Sequence, residues 1–328
     1  MVCEKFSATA FRSGAVDAVK IENTELFDVR KTFDCGQCFR FDEVYDSMHE
    51  VEYAGFALGK YISVAQDGDS IIIYNINLNE YEKIFRKYLS LNIDYKKIND
   101  DILSRSDNKN LRSAVEKGSG IRILNQDGWE SLCSFIVSQN NNIPRIKKLI
   151  AALCGECDHE KETRLSSLKH MEGHISEVHR GLNGAFSPFP TPRQVGLLGQ
   201  SRLSELKFGF RSKYIDCAAD YVGTGKICLD ELYFKKTSEC MDMLCEIKGV
   251  GPKVALCSLL FGFGHLDAFP VDVWIKKVIE KYFDKNFSPD MLGAYAGVAQ
   301  QYLFYYERYL DGDGRQNEEQ RESKVILK

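Results

Sequence analysis

The chain has 328 residues, of which 44% are hydrophobic and 27% charged, and this composition argues against a disordered, collagen-like or fibrous protein. The formal net charge is −4 and the sequence pI is near 6.0. A strongly basic surface is therefore excluded, and any nucleic-acid site has to be local.

Nothing in the sequence predicts a membrane or secreted protein. The apolar runs, such as Leu256–Phe261, fall well short of the roughly 18 residues that cross a bilayer. The N-terminus lacks the charged-then-apolar pattern of a secretory signal. The 11 cysteines are an odd number without a dense framework, which is typical of reduced thiols. We therefore expect an intracellular protein, cytoplasmic or nucleoid-associated, with no membrane partner.

Strand signals come first along the chain, between residues 24 and 77. Four segments rich in β-branched and aromatic residues are separated by turn signals: Asp34–Phe41, Val51–Ala54, Tyr61–Val64 and Ser70–Tyr74. They predict an antiparallel sheet within an N-terminal, mainly β domain over residues 1–115. From Leu78 onward the apolar spacing becomes helical, and the Gly118-Ser-Gly120 cluster marks the domain boundary.

The remaining sequence predicts an all-α region over residues 116–310, so that the fold class is α+β. Apolar spacing favours two helices between Gly128 and Leu153, broken at the polar run Gln139–Asn142. Residues 158–184 are polar with scattered leucines, and we predict a flexible insertion there. The charged tail, residues 311–328, is predicted to be disordered.

A helix-hairpin-helix is predicted at about residues 238–263. An apolar helix through Leu244 and Ile247 stops at Gly249, which can take the positive φ of a helix C-cap. Pro252 suits the first turn of a second helix. The turn through Gly249 and Gly251 leaves backbone N–H groups open, and these can hold a phosphate.

Two residues near this hairpin carry candidate chemistry. Lys253 lies in the first turn of the second helix, where the positive end of the helix dipole disfavours an ammonium; a neutral amine is a nucleophile. Asp272 lies just before a predicted helix over 273–283, a position suited to N-capping. Considered alone, Lys253 would be interpreted as a solvated surface lysine and Asp272 as an ordinary helix cap.

Together, over residues 244–274, they resemble the helix-hairpin-helix Gly-Pro-Asp signature of a DNA glycosylase superfamily, and the lysine is typical of its bifunctional members. Further segments narrow the resemblance to the 8-oxoguanine DNA glycosylase family, over about residues 22 to 310. They are Gly36–Arg40, Ser134–Arg145, Gly209–Tyr214 and Tyr295–Phe304.

The resemblance implies a bifunctional DNA repair glycosylase that flips 8-oxoguanine out of duplex DNA. Lys253 would attack C1′ of the damaged nucleotide and form a Schiff base that permits strand cleavage by β-elimination, while Asp272 would stabilise the cationic sugar. The Gly36 carbonyl would accept a hydrogen bond from the N7–H that distinguishes 8-oxoguanine from guanine. Cys257 and Phe304 would sandwich the base, and Gln300 would read its Watson–Crick edge.

The resemblance also implies contacts to the partner, double-stranded DNA with the lesion opposite cytosine. Asn140, Arg145 and Arg211 match residues that contact the orphaned cytosine, and Phe210 matches an aromatic wedge beside it. Guanidinium groups suit cytosine because its O2 and N3 are acceptors. We expect no cofactor, and a monomer is the simplest expectation.

One position departs from the family pattern. Trp274 stands where many members carry histidine, so a phosphate contact by that histidine cannot be transferred; Lys276 and Lys277 could supply charge instead.

Three alternative interpretations remain open. Cys154, Cys157, His170 and His174 have the spacing of a classical zinc finger, which is a weak zinc candidate because the usual aromatic residue is replaced. A glycosylase for another damaged base is a second alternative, although no cysteine follows Cys257 to build the iron–sulfur loop of some relatives. A non-catalytic DNA-binding hairpin is the third, and it would need neither Lys253 nor Asp272.

Overall fold

A six-stranded antiparallel sheet forms the N-terminal part of the computed structural model, which describes residues 6–182 and 184–309. The strands are β1 (Ser7–Ser13), β2 (Val16–Glu22), β3 (Phe41–Glu43), β4 (Val51–Ala57), β5 (Lys60–Asp67) and β6 (Ser70–Tyr74). Their order across the sheet is β1-β2-β6-β5-β4-β3. The three strands predicted after residue 50 are confirmed, as is the α+β class.

The predicted strand over Asp34–Phe41 is wrong. Helix α1 (Val29–Asp34) begins where the Asp28 side chain accepts a hydrogen bond from the Lys31 amide at 2.8 Å. Gly36 then takes a φ of +81°, and the chain bends until Phe41 pairs with Gly55. The hairpin β1–β2 was not predicted, because β1 is an edge strand whose side chains are largely exposed and show no apolar alternation.

Each face of the sheet has its own apolar layer. One face packs Val19, Ile21, Ile62 and Ile73 against α1 and against a helical segment, α2 (Leu78–Glu80), a π-helical turn (Tyr81–Phe85) and α3 (Arg86–Tyr88). The other face, with Ala54, Phe56, Tyr61 and Ile72, is covered by Leu168, Met171, Ile175 and Phe186. The sheet is thus buried on both sides.

The covering of that second face corrects the prediction of a flexible insertion. Residues 158–182 fold into α8 (Lys161–Ser167), a 3₁₀ turn (Lys169–His174) and α9 (Glu177–Arg180). Met171 is fully buried against the sheet, and Ile175 nearly so. A few widely spaced apolar residues are enough to dock the insertion, because the strands supply most of the apolar side chains in this buried layer. We call residues 158–184 the insertion.

Helices form the rest of the chain. They are α4 (Tyr95–Ser104), α5 (Lys109–Gly118), α6 (Gly128–Ser138), α7 (Ile143–Cys157), α10 (Pro192–Glu205), α11 (Ser212–Gly223), α12 (Thr237–Cys245), α13 (Pro252–Gly262), α14 (Val273–Tyr282) and α15 (Ala296–Tyr309). Short 3₁₀ turns lie at Gly209–Arg211, Leu229–Tyr233 and Pro289–Tyr295. The predicted break after α6 and the predicted helix after Asp272 are both confirmed.

The predicted domain boundary at 115/116 falls inside α5. The buried cluster beneath the sheet ends at Leu91 apart from Leu124, whereas Tyr95, Ile98 and Leu111 already belong to the helical core. The chain therefore changes layer between residues 91 and 95. The sequence pattern does not reveal this change, because α3, α4 and α5 are all helical. In the fold, α5 packs against α15, and α4 packs against the 3₁₀ turn that precedes α15. The predicted tail at 311–328 lies outside the described residues, and within those residues no helix is long and apolar enough to span a bilayer.

Candidate active site and nucleic-acid interface

The hairpin between α12 and α13 is built around two glycines with different roles. Gly249 has a φ of +92°, and a β carbon on it would lie 2.2 Å from Cγ of the Tyr214 ring. Gly251 precedes α13 in extended backbone, and nothing lies within 4 Å of where its β carbon would be. The first turn of α13 therefore presents its backbone N–H groups to an open surface, as phosphate binding requires.

Lys253 lies in that first turn and its side chain is half-buried. Its Nζ is 5.7 Å from the centroid of the Phe135 ring, and its side chain hydrogen-bonds to Cys257 one turn further along α13. Burial raises the pKa of the Cys257 thiol to about 11; the charge of Lys253 opposes this shift and that of Asp272 adds to it. Lys253 and Cys257 are thus hydrogen-bonded neighbours on α13, and the Asp272 carboxylate lies within electrostatic range of the thiol.

Asp272 is held by the helix that it begins. Its Oδ1 accepts a hydrogen bond from the Ile275 amide at 2.8 Å, which confirms the predicted N-cap of α14. A carboxylate has a second oxygen with its own lone pairs, so capping does not exhaust its acceptor capacity. The cap fixes the position of this carboxylate at the start of α14.

A second group comprises the residues predicted to bind the base. A β carbon on Gly36 would lie 4.0 Å from Cε1 of Phe304 and 3.9 Å from Cδ1 of Ile143, so the Gly36 bend meets α15 and α7. Gln300, one turn before Phe304, is 5% exposed. Its Oε1 is buried and has no hydrogen-bond partner among the described residues. A buried acceptor without a partner costs about 1–3 kcal/mol, and a bound base could satisfy it.

The two groups are linked through α13, α15 and α6. A β carbon on Gly297 of α15 would lie 2.6 Å from Cδ1 of Leu260 on α13. The Phe135 ring of α6 lies edge-on to Phe39 with 5.7 Å between the centroids, stacks on Phe261 of α13 at 5.4 Å, and lies 5.7 Å from Nζ of Lys253.

The residues predicted to face the opposite base divide into two kinds. Arg145 and Asn140 are exposed, and Phe210 is 46% exposed, as a contact to DNA requires. Arg211 is instead 3% exposed and donates from Nε to Gln139 O at 2.9 Å and from Nη2 to Asn140 O at 2.7 Å. Burial and the charge of Arg145 lower the pKa of Arg211. In the DNA-free structure Arg211 shapes the Gln139–Asn140 turn, in which Asn140 has a φ of +48°.

Sequence reasoning missed residues that join these parts. The Gln139 side chain donates to Gly249 O at 3.0 Å and so ties the opposite-base turn to the hairpin. Gln301 donates to Cys35 O at 2.9 Å and ties α15 to the Gly36 bend. No local pattern marks either glutamine, because each partner is more than a hundred residues away.

Beyond Asp272, α14 presents a mixed aromatic and basic surface. Trp274 is 45% exposed, and Nζ of Lys277 lies 5.3 Å from the centroid of its ring. Lys276 is exposed beside it. Positive charge is therefore available where the family's histidine is missing.

The zinc candidate is wrong as a four-ligand site. Cys154 is fully buried in the helical core, and burial raises the pKa of its thiol to about 12. His174 pairs with Glu52 on β4 at 2.7 Å, and His170 lies 3.2 Å from the Asn75 side chain. Within residues 6–182 and 184–309, no cluster of three or more His, Cys, Asp or Glu side chains suits a metal ion.

A glycine hairpin open to phosphate, an amine at its helix start and a fixed carboxylate beside it define a helix-hairpin-helix DNA glycosylase of the bifunctional type. The family model of the N-terminal domain of 8-oxoguanine DNA glycosylase matches residues 18–132. The glycosylase MBOgg1, solved with a low-affinity DNA ligand, is 36% identical, with 93% of this chain and 99% of that chain covered and a TM-score of 0.76.

Two further relatives agree. The apo 8-oxoguanine glycosylase/lyase of Clostridium acetobutylicum is 33% identical, covering 93% of this chain and 100% of that chain, with a TM-score of 0.76. The N-glycosylase/DNA lyase of Saccharomyces cerevisiae is 31% identical over 211 residues, which are 60% of this chain and 50% of the yeast protein. The chain belongs to the 8-oxoguanine DNA glycosylase/lyase family of DNA repair enzymes.

Proposed function

We propose that the protein excises 8-oxoguanine from duplex DNA and then cleaves the strand, with Lys253 as nucleophile. The observation that supports the proposal is the hydrogen-bonded pair of Lys253 and Cys257 on α13, within electrostatic range of Asp272, together with an unpaired buried acceptor on Gln300 of α15. A base inside a duplex cannot expose its C1′ to an amine, so the damaged nucleotide is flipped out of the stack.

The chemistry follows from one amine and one carboxylate. The Lys253 amine attacks C1′, the N-glycosidic bond breaks, and the base leaves with a proton. The aminal opens to a Schiff base, loss of a C2′ proton follows, and the C3′–O bond breaks by β-elimination. Asp272 stabilises the positive charge that develops on the sugar. The lysine amine supplies the electron pair for the new bond to C1′, whereas the aspartate contributes only negative charge. Neither residue can therefore replace the other.

Lesion discrimination is assigned to the pocket. The Gly36 carbonyl accepts from N7–H of 8-oxoguanine, whereas guanine presents a lone pair at N7 and would leave that carbonyl unpaired at a cost of about 1–3 kcal/mol. Cys257 and Phe304 lie on the two faces of the base. The free Oε1 of Gln300 is a suitable acceptor for a Watson–Crick N–H group of the base.

The opposite base is proposed to be cytosine, read by the exposed Arg145 with Asn140 and with Phe210 as the wedge. The Clostridium acetobutylicum enzyme, 32% identical over 95% of this chain, has been solved with double-stranded DNA containing cytosine opposite 8-oxoG. Arg211 supports this surface from beneath through its hydrogen bonds to the Gln139 and Asn140 carbonyls. We further propose that the enzyme acts as a monomer inside the cell.

The test is base release from matched duplexes. Wild type is expected to release 8-oxoguanine from an 8-oxoguanine:cytosine pair and to leave a guanine:cytosine pair intact. Asp272→Asn keeps an oxygen for the helix cap but lacks the charge, so it should fold normally and lose most of its excision rate. A folded wild type that binds the duplex and releases no base would overturn the proposal.

A further inference from the structure

The insertion contacts β3 at two adjacent residues: the Ser176 hydroxyl donates to the backbone carbonyl of Glu43 at 3.0 Å, and His179 pairs with the carboxylate of Asp42. Oδ1 of Asp42 accepts a hydrogen bond from Nζ of Lys147 on α7 at 2.7 Å. Oδ2 lies 2.8 Å from Nε2 of His179 on α9. Lys147 donates as well to the backbone carbonyl of Phe41 at 2.7 Å. Strand β3, helix α7 and the insertion therefore meet at Asp42.

His179 is the buried arm of this network, with 2% of its side chain exposed. Its Nδ1 lies 2.9 Å from the Tyr61 hydroxyl on β5, and that hydroxyl accepts a hydrogen bond from the Ser176 amide. The Tyr61 hydroxyl and the Asp42 carboxylate thus occupy the two ring nitrogens of His179. Every polar atom of the side chain is satisfied, as a buried network requires.

The elements joined at Asp42 are the ones that carry lesion reading. Backward from Asp42, β3 leads through Phe39 to the Gly36 bend. Lys147 lies two residues after Arg145 on α7, and Ile143 at the start of the same helix is the neighbour of Gly36. A shift of β3 against α7 would move the Gly36 bend and so change the base pocket. Lys253 and Asp272 are held by α13 and α14, outside this network.

We propose that His179 is a positioning residue for lesion recognition, which acts by holding Asp42 between β3 and Lys147. The proposal rests on the proposed function, since it assigns Gly36 and Arg145 to base reading. It predicts that His179 controls base excision and leaves the lyase step, which needs no base in the pocket, largely untouched.

The insertion itself supplies a matched control. His174, five residues earlier, pairs with Glu52 on β4 through Nδ1 at 2.7 Å, and its ring stacks on Tyr74 of β6 with 3.8 Å between the centroids. This second pair anchors the same insertion to the middle of the sheet. Removing it weakens docking without removing a partner of Asp42.

The experiment compares two single-turnover rates on cytosine-paired duplexes: release of 8-oxoguanine, and strand cleavage at a preformed abasic site. His179→Ala should lower the ratio of excision to cleavage by about tenfold or more, since small displacements of positioned groups have large kinetic effects. His179→Gln should restore the ratio because its amide nitrogen can occupy the Nε2 position. His179→Asn reaches only the Tyr61 side and should not restore it.

His174→Ala should lower the melting temperature and leave the ratio at the wild-type value. If His179→Ala does not fold, Lys147→Met tests the same coupling from α7 and should lower the ratio as well. An unchanged ratio in the His179 and Lys147 variants, or an equal fall in His174→Ala, would overturn the inference. A wild type that cleaves abasic DNA and releases no 8-oxoguanine would instead overturn the proposed function.

Discussion

Gly36, in the bend before β3, lies against Phe304, in the last described helix: a β carbon on the glycine would be 4.0 Å from Cε1 of the ring. The bend has a φ of +81°, which glycine adopts without steric cost. The bend of the N-terminal region thereby reaches α15. We propose that the Gly36 bend, α13 and α15 together hold the flipped base beside Lys253.

Two adjacent glutamines on α15 offer a direct test of the pocket. Gln300→Leu removes a buried acceptor that lacks a partner, so thermal stability should stay level or rise, whereas 8-oxoguanine excision should fall because base reading is lost. Gln301→Leu removes the hydrogen bond to Cys35 O and should destabilise the fold by about 1–3 kcal/mol. Thermal denaturation and kcat/KM measure the two effects. Full excision activity in Gln300→Leu would show that Gln300 does not bind the damaged base.

The two hairpin glycines should respond differently to alanine. Gly249→Ala places a β carbon into the Tyr214 ring at positive φ, and we expect a loss of about 2–4 kcal/mol of unfolding free energy. Gly251→Ala meets nothing within 4 Å and should change stability by less than about 0.5 kcal/mol. Gly251→Ala should instead weaken duplex binding, because the added methyl group lies at the open start of α13, where a phosphate is expected to bind. Urea denaturation and a binding titration distinguish these roles; equal destabilisation would contradict the account.

The two arginines near the Gln139–Asn140 turn should separate stability from specificity. Arg211→Ala removes the buried guanidinium that donates to the Gln139 and Asn140 carbonyls and should cost about 1–3 kcal/mol of stability. Arg145→Ala alters an exposed side chain and should leave stability within about 0.5 kcal/mol. Its excision rate should lose the preference for cytosine over adenine opposite the lesion. Retention of that preference would show that Arg145 does not read the opposite base.

Acid should release the insertion from the sheet through Glu52. Burial alone would raise the pKa of Glu52, but hydrogen bonds from His174, Ser47 and Ser63 bring it below its ordinary value. A carboxyl whose pKa is lower in the folded state stabilises the fold above its unfolded pKa of about 4.3, and that contribution is lost as pH falls through the folded value. The difference in stability between wild type and Glu52→Gln should therefore be large at neutral pH and shrink below about pH 4. A difference that stays constant on acidification would refute the role of this ion.

Much of the site could be predicted from the sequence because its chemistry is local. The hairpin is encoded by glycines and a proline within a few residues of Lys253, and Asp272 caps its own helix. The pairing of Gly36 with Phe304 followed only from the family resemblance. Nothing in either local segment predicts that contact.

The insertion could not be predicted for the opposite reason. Its polar composition resembles that of a loop, yet His174 and His179 find carboxylates on β4 and β3, and Met171 finds the apolar face of the sheet. Partners more than a hundred residues away leave no periodicity in the sequence. For Arg211, burial depends in the same way on the shape of a distant turn.

The central claim is that the Lys253 amine forms a covalent imine with the sugar. It is tested by borohydride trapping on a duplex with 8-oxoguanine opposite cytosine, comparing wild type with Lys253→Gln after both are shown to fold and to bind the duplex. We predict a stable protein–DNA adduct with wild type and none with the variant. An adduct of equal yield in Lys253→Gln, or base release by wild type without any adduct, would contradict it.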